Sequence, residues 1–482
     1  MIQPQEVFGI FDAIRQVPRP SKHEEQISQW LVDFAAEHGI ECVRDEALNV
    51  IMRVPATSGY EDHEGVILQA HMDMVCEKNN DVQHDFLHDP IETWVDGDFL
   101  KARGTTLGGD DGIGMAMALA AAISKNLPHP ALECLFTVDE ETGLTGANRL
   151  KDGYLHGRRL INLDSEDDGQ IFIGCAGGID TLAKMHYKPL LLKPEKMFAA
   201  QICVSGLLGG HSGDDINKGR ANANKILAHL LQRLNNETDL YVAVIEGGNL
   251  RNAIAREAEA VIAVPFGYKE QLRVTFNQYV AEVEDQFGEV EKDLRMELQS
   301  TTLPEHVIEP EKAQKLIKAL CDCPHGMIAM SKDMPGLVET STNLASVKMK
   351  EDAKGPYIEI NTSQRSSIET EKHRIKDQVE RVLATACDEV THGDGYPGWK
   401  PNIDSPILDH VRAAYETLFG CEPKVLAIHA GLECGLFLEK YPYLDMVSIG
   451  PQMYGVHSPQ ERLSISSTAR CWAWLCETLK RL

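Results

Sequence analysis

The sequence predicts an α/β protein whose mostly parallel central sheet is interrupted by an inserted α+β domain. Three observations lead there. From residue 66 to 175, strand-like apolar runs (66–70, 132–138, 160–163, 171–173) alternate with helix-like ones (112–124, 146–151). That is the rhythm of parallel strands joined by crossover helices. Between about 190 and 400 the runs are longer and more mixed, with strands at 200–205, 241–246, 256–264, 294–302, 344–349 and 357–362. Helical segments at 220–235, 268–292, 309–321 and 370–386 lie between them, which reads as two consecutive α+β units of similar size. Beyond the Gly- and Pro-rich linker "HGDGYPGWKPNIDSP" (392–406), a helix at 407–418, the runs "LAIHAG" and "MVSIG" and a last helix to Leu482 restore the α/β pattern.

The remaining elements follow from local pattern. Val7, Ile10, Phe11 and Ile14 fall at helical spacing, so the chain begins with an amphipathic helix. No basic stretch followed by an apolar core precedes it, so this is not a secretory signal. The longest apolar run, Met115 to Ile123, falls far short of the roughly 18 residues of a membrane span. A length of 482 residues suggests two or three domains. Forty-seven basic against 73 acidic residues leave a net charge of −26, which repels phosphate backbones and anionic lipid. The twelve cysteines are scattered, many in apolar settings, as reduced thiols of a cytoplasmic protein would be. Cys321, Cys323 and His325 form the one cluster suggestive of structural zinc, but it lacks a matching second half.

The chemistry concentrates at strand ends. In "ILQAHMDMV" a buried-looking run stops at His71 and Asp73, which share one side of an extended chain. Taken alone, that is a hydrated strand end, or else a metal-binding imidazole with a carboxylate behind it. Four more stretches repeat the placement: Asp110 and Asp111 in "RGTTLGGDDGIGMAMALA", Asp139, Glu140 and Glu141 in "LFTVDEETGLTG", Asp164 in "LINLDSEDDG", and His457 in "VSIGPQMYGVHSPQE". Ligand sites of open α/β sheets form at the carboxyl ends of strands, so these residues are delivered to one edge. Two imidazoles and three carboxylates suit a pair of divalent cations sharing one acid, because clustered acids would otherwise repel one another. Glu140 adjoins Glu141 and points the other way in extended chain, where a general base belongs. A phosphate-binding reading of "GGDDGIGMA" fails, since two aspartates would stand where a pyrophosphate must approach.

Together, "QAHMDMV", "LGGDDGIG", "DEETG", "LDSEDDG", "GGHSG" and "GPQMYGVHSP" resemble the co-catalytic di-zinc aminoacylase/carboxypeptidase clan. More closely they resemble its aminoacyl-histidine (Xaa-His, carnosine-cleaving) dipeptidase family, and the likeness extends to "KARGTTLG", "GCAGGID", "RNAIARE" and "HAGLECG". The resemblance implies metal ligands His71, Asp110, Glu141, Asp164 and His457, with Asp110 as bridge, Glu140 as general base and Asp73 orienting His71. It assigns His211 to the oxyanion or substrate-carboxylate region, and Asn252, Arg365, His429 and Glu433 to substrate binding.

The cofactors implied are two divalent ions, Zn²⁺ first, with Co²⁺ or Mn²⁺ also suited to such ligands. The implied activity is hydrolysis of dipeptides, Xaa-His with broader tolerance, and a homodimer is the one macromolecular partner left open. The alternatives are a broader metallo-aminopeptidase, an N-acyl-amino-acid deacylase, or a catalytically silent metal-binding homologue. The last would lack a ligand or the base, and neither is missing. Two departures are visible: Asp111 where relatives carry Asn, and Ala255 where proline is common.

The first four ligands lie within 71–164 and the last at 457, a sequence separation of 457 − 164 = 293. A connection that long implies an inserted domain. The expected organisation is a discontinuous catalytic domain, 1–190 and 403–482, around a lid or dimerisation domain at 191–402. A doubled lid of that length would let His211 serve the site of its own chain.

Overall fold

Strand Val66–His71 is buried along its whole length, as expected where crossover helices cover both faces of a parallel sheet. It runs parallel to Leu132–Thr137 on one side, with His71 opposite Thr137, and to Arg159–Asn162 on the other, with Gln69 opposite Asn162. Asp445–Ser448 continues the parallel set beyond Arg159–Asn162. These four strands form the middle of an eight-stranded sheet in this computed structural model, which describes residues 2–193, 195–213 and 215–482.

The parallel character holds only for that middle. Val50–Val54 joins Leu132–Thr137 antiparallel, and Glu41–Arg44 joins Val50–Val54 the same way. Residues 45–49 between them are too few for a crossover, so a hairpin is forced. On the other side, Gln170–Cys175 meets Asp445–Ser448 antiparallel. The first helix, Gln5–Ile14, buries Val7, Ile10, Phe11 and Ile14 as its spacing predicts. Helix Gly109–Ile123 is built of small residues and is buried on nearly every side. A Cβ on its Gly112 would stand 3.0 Å from the Phe11 ring.

This sheet belongs to one of two compact units, comprising Met1–Cys175, Trp399–Ala427 and Leu432–Leu482. The second unit comprises Ala176–Gly398 and Ile428–Gly431. It therefore starts ahead of the expected residue 191, because Gly177–His186 is a strand of its sheet. That strand alternates buried and half-buried residues from Ile179 onward.

The second unit is built on one continuous nine-stranded sheet, eight strands of which form two similar halves, while the ninth, Gly326–Met330, pairs with Val338–Asp352. The first half runs Met197–Ser205, helix Ala223–Glu237, Tyr241–Gly247, Ala258–Pro265, helix Lys269–Phe287, Arg295–Ser300. The second runs Val338–Asp352, Gly355–Ser366, helix Glu369–Leu383 and Glu389–His392, preceded by helix Pro310–Asp322, and borrows Gly177–His186 as its inner strand. Across the sheet the halves appear in mirrored order and meet where Gly247 faces Val347. Their helices bury Ile226, Leu230, Leu231, Leu272, Phe276, Leu316, Leu320, Val379 and Leu383 in one core.

The Cys321–His325 cluster is a helix end. The Lys225 ammonium donates to the carbonyls of Leu320, Cys321 and Cys323 at 2.6–2.9 Å, satisfying acceptors that a helix terminus leaves open. The Leu344 N–H donates to His325 Nδ1, and burial with Lys225 nearby pushes that imidazole down to about 3. No helix among the described residues is long and apolar enough to cross a membrane.

Candidate metal centre

All five residues proposed as ligands lie in the first unit, and the fold brings them together. His71 ends its strand with Nε2 3.0 Å from Asp110 Oδ1 and 3.4 Å from Asp164 Oδ1. His457 places Nε2 3.1 Å from Asp110 Oδ2 and 3.0 Å from Glu141 Oε2. Two triads result, His71–Asp110–Asp164 and Asp110–Glu141–His457. Asp110 is common to both and offers a different oxygen to each.

The spacings suit cations. Ligand atoms about 2.0–2.1 Å from a tetrahedral ion lie about 3.3 Å from one another, close to the nitrogen–oxygen separations of 3.0–3.4 Å here. Glu141 Oε1 is buried and has no hydrogen-bond partner among the described residues, an acceptor waiting for a charge. The donor set is imidazole and carboxylate with no thiolate, so the residues present fit two divalent ions.

Electrostatics point the same way. Burial pushes the Asp164 carboxyl up to about 7, with Asp110 adding to the effect. Burial would raise Asp110 too, but hydrogen bonds from His457 and His71 outweigh it and hold Asp110 well below the usual range. Donating to Asp110 and Glu141 lifts the His457 imidazole to about 11. Without cations, the His71 and His457 imidazoles are the groups placed to offset the repulsion among these acids. Glu140 is raised well above the ordinary range, first by burial and then by Asp164, Glu141 and Glu433, as a buried base among acids must be.

Behind the triads, Asp73 does more than orient an imidazole. Its Oδ1 lies 3.3 Å from His71 Nδ1 and accepts the Glu140 N–H at 3.0 Å, while its Oδ2 accepts the Glu141 N–H at 3.3 Å and the Ser21 hydroxyl at 2.7 Å.

Two residues that the sequence did not single out complete the setting. Glu461 accepts the backbone N–H groups of Leu107 and Gly109 at 2.7 Å, so it grips the loop that leads into Asp110. The Arg19 guanidinium, almost wholly buried, donates to Met72 O at 3.0 Å, to Asp73 O at 2.7 Å and to Gly108 O. Gly108 has φ +67°, and a Cβ there would stand 2.6 Å from Arg19 Nη2, so backbone conformation and close approach both require glycine. The one local signal was each residue's charge beside a motif, "QVPRPS" and "HSPQE".

The departure at Asp111 faces away from the triads. Its Oδ1 accepts the Gly114 N–H at 3.1 Å and its Oδ2 the His71 N–H at 3.3 Å. Glu433, expected at the substrate, is 1% exposed; one of its oxygens joins a buried network, and Oε1 has no hydrogen-bond partner among the described residues. Its Oε2 accepts from Gln69 and Thr137 at 2.7 Å, and Gln69 accepts in turn from Asn162 at 2.6 Å. Gln69 and Asn162 precede His71 and Asp164 by two residues, so this polar row runs beneath the ligands.

His211, Asn252, Arg365 and His429 belong to the second unit. His211 bridges Ala253, and the Ser212 N–H donates to Asn252 O at 2.8 Å, so the two segments lie side by side. Asn343 reaches the same segment by donating to Ala253 O at 2.8 Å. Two residues earlier, Ser341 stands opposite Arg365 in register, and its hydroxyl lies 2.7 Å from His429 Nε2. Strand Val338–Asp352 thus links all four residues through Ser341 and Asn343, which carried no motif signal.

A profile described as "Peptidase family M20/M25/M40" matches residues 67–481. The chain belongs to this family. It is 41% identical over 481 residues to the cytosol non-specific dipeptidase of Escherichia coli strain K12, covering 100% of this chain and 98% of that one. Among solved structures, this M20/M25/M40 peptidase superposes on an aminoacylhistidine dipeptidase from Vibrio alginolyticus with a TM-score of 0.92, at 40% identity, covering 100% and 97% of the two chains. An aminopeptidase, PepT, from Bacillus cereus shares the fold, with a TM-score of 0.62 and 17% identity over 100% and 99%.

Proposed function

We propose that the chain is a dinuclear metallodipeptidase. One observation carries this: Asp110 presents a separate oxygen to each of two His–carboxylate pairs, as a bridge between two cations requires. The names of the two relatives above 40% or at 40% identity favour dipeptides, and the Vibrio relative favours those ending in histidine. His71, Asp164 and Asp110 would hold one ion, and His457, Glu141 and Asp110 the other. Zinc suits these donors, as do cobalt and manganese. A cytosolic location is supported by the name of the Escherichia coli relative, and the net charge of −26 argues against nucleic-acid and membrane-surface partners.

Two bound divalent ions supply Lewis acidity towards a scissile carbonyl and make water acidic enough to lose a proton near neutrality. Glu140 accepts the proton that the attacking water sheds and returns it to the leaving amine. Asp73 fixes the His71 ring and, through the Glu140 N–H, the base itself. Among the second-unit residues, His211 would serve the developing oxyanion and Asn252, Arg365 and His429 the substrate backbone.

A dipeptide panel assayed on zinc-loaded protein tests this reading. Carnosine and Gly-His should be cleaved, Gly-Leu more slowly, and acetylated amino acids poorly or not at all. Preference for the acetylated compounds would make the protein a deacylase instead. Sedimentation of the same preparation decides between monomer and homodimer.

A further inference from the structure

A second carboxylate cluster lies behind Glu140: Glu24, Asp73 and Asp139 each bring one oxygen within 4.8 Å of the others, and all three are buried. Its composition is that of a cation site, but its acceptors are already taken. Glu24 Oε1 accepts the N–H of Lys22 at 2.8 Å and of Asp139 at 3.0 Å. Asp139 accepts the hydroxyls of Thr142, at 2.5 Å, and of Thr145. Asp73 serves Ser21, Glu140 and Glu141. The cluster is therefore a set of tethers.

We propose that Glu24 is a positioning residue for the general base Glu140, acting through the Asp139 N–H, and that segment Arg19–Glu24 is the belt that aligns the base. The assignment rests on the dipeptidase reading for the role of Glu140, while the tether itself stands on geometry. Asp139 immediately precedes Glu140 and adopts φ +49°, in the left-handed region, which is uncommon for non-glycine residues although aspartate enters it more readily than most. Two groups hold it: its own side chain, through Thr142 and Thr145, and its N–H, through Glu24.

Removing the Glu24 acceptor would leave a buried N–H unpaired and free the peptide that sets the direction of Glu140. From the other side, Ser21 steadies Asp73, which takes the Glu140 N–H. Arg19 secures the chain at Met72 and Asp73 and is joined to Met74 by the Met74 N–H. One tether thus comes directly from this six-residue stretch, through Glu24, and the other, Asp73, is steadied by it through Ser21. The stretch lies ahead of the residues that the family profile matches.

The test compares Glu24→Ala and Glu24→Gln in the zinc-loaded full chain. Four quantities are read: kcat and KM on a cleaved dipeptide, zinc content, Tm, and hydrogen exchange of the amides at 138–145. A misplacement of about 1 Å at a catalytic group costs roughly a hundredfold. Glu24→Ala should therefore lower kcat by about ten- to a hundredfold, leave KM within about twofold and keep zinc. It should also speed exchange across 138–145. Glu24→Gln should recover most of the loss, because its amide oxygen can accept the same two N–H groups. Burial already holds the Glu24 carboxyl above the usual range, which makes glutamine a fair replacement.

Wild-type kcat or unchanged exchange in Glu24→Ala overturns the proposal. So does a loss that tracks zinc or folded protein, or a Gln variant as impaired as Ala. If no peptide is cleaved even by the parent protein, the dipeptidase reading falls, and the exchange data alone decide whether Glu24 holds the 139–141 turn.

Discussion

The Asp73 carboxylate accepts the Glu140 N–H at 3.0 Å. A residue two positions beyond His71 thereby holds the backbone of Glu140, and the same group faces the His71 ring from 3.3 Å. On the proposed roles of His71 and Glu140, metal binding and proton transfer share one anchor.

Asp73→Ala should therefore impair two quantities separately. Loss of a carboxylate behind a metal-binding imidazole typically costs about 10- to 100-fold in metal affinity. At saturating zinc, kcat should still be depressed, because the Glu140 N–H has lost its acceptor. Zinc titration followed by steady-state kinetics checks both, and full recovery of kcat at high zinc would show that Asp73 serves His71 only.

Glu140→Gln should keep two zinc equivalents and lose turnover. The amide preserves shape but cannot take a proton, and loss of a general base costs roughly a hundred- to ten-thousandfold. Elemental analysis beside single-turnover kinetics makes the comparison. Most of the activity surviving would mean that the base is another group.

Stripping the metals should destabilise the protein at neutral pH, and zinc should restore Tm as the fill approaches two per chain, because a ligand bound by the folded state alone stabilises it. Asp110→Asn, which weakens the shared carboxylate of both triads, should impair retention of both ions together. A plateau at one zinc with full activity would exclude the paired site.

His211→Ala should lower kcat much more than it lowers zinc affinity, since a donor to a developing oxyanion acts only in the transition state. Mixing this variant with Glu140→Gln protein should restore nothing if each chain completes its own site. Recovered activity would reveal a histidine acting across a subunit interface.

Glu433 supplies a pH signature. Burial foremost, with Asp164 and Asp73 adding to it, raises its carboxyl from 4.5 to about 8. The folded state therefore holds a proton between about pH 4.5 and 8 that the unfolded chain releases. The stabilising contribution is complete below about pH 4.5 and is lost as pH rises through about 8. Glu433→Gln mimics the protonated form, so the variant should gain stability over wild type towards pH 8, by on the order of a few kcal/mol. Urea denaturation of metal-free protein at pH 5 and pH 8 reads the difference, and parallel pH profiles would remove Glu433 as its source.

Much of this protein was legible in one dimension. The apolar runs leading to His71, Glu141 and Asp164 mark strands that stop at a polar edge, because a buried parallel strand has only its ends for chemistry. Glu140 and Glu141 nevertheless stand on a short helix, Glu140–Gly143, and not in the extended chain that the sequence suggested. The sequence separation of 293 between Asp164 and His457 announces the insertion, since a single connection of that length would be unstable without its own core. The Gly177–His186 strand was harder to see, because every other residue along most of it is only half buried and its partners lie far away in sequence.

What tertiary structure alone decided is who touches whom. Nothing local in "VPRPSKHEE" marks Arg19 as the guanidinium that fills the space left by Gly108, or Glu24 as the acceptor for Asp139. Nor does "LECG" mark Glu433 as a network acid sealed beneath the ligands. Metal ligands declare themselves because their chemistry restricts which residue types can serve and places them at strand ends. Supporting residues need only a donor or an acceptor at the right point in space, many side chains can supply one, and the fold alone brings residues hundreds of positions apart to that point.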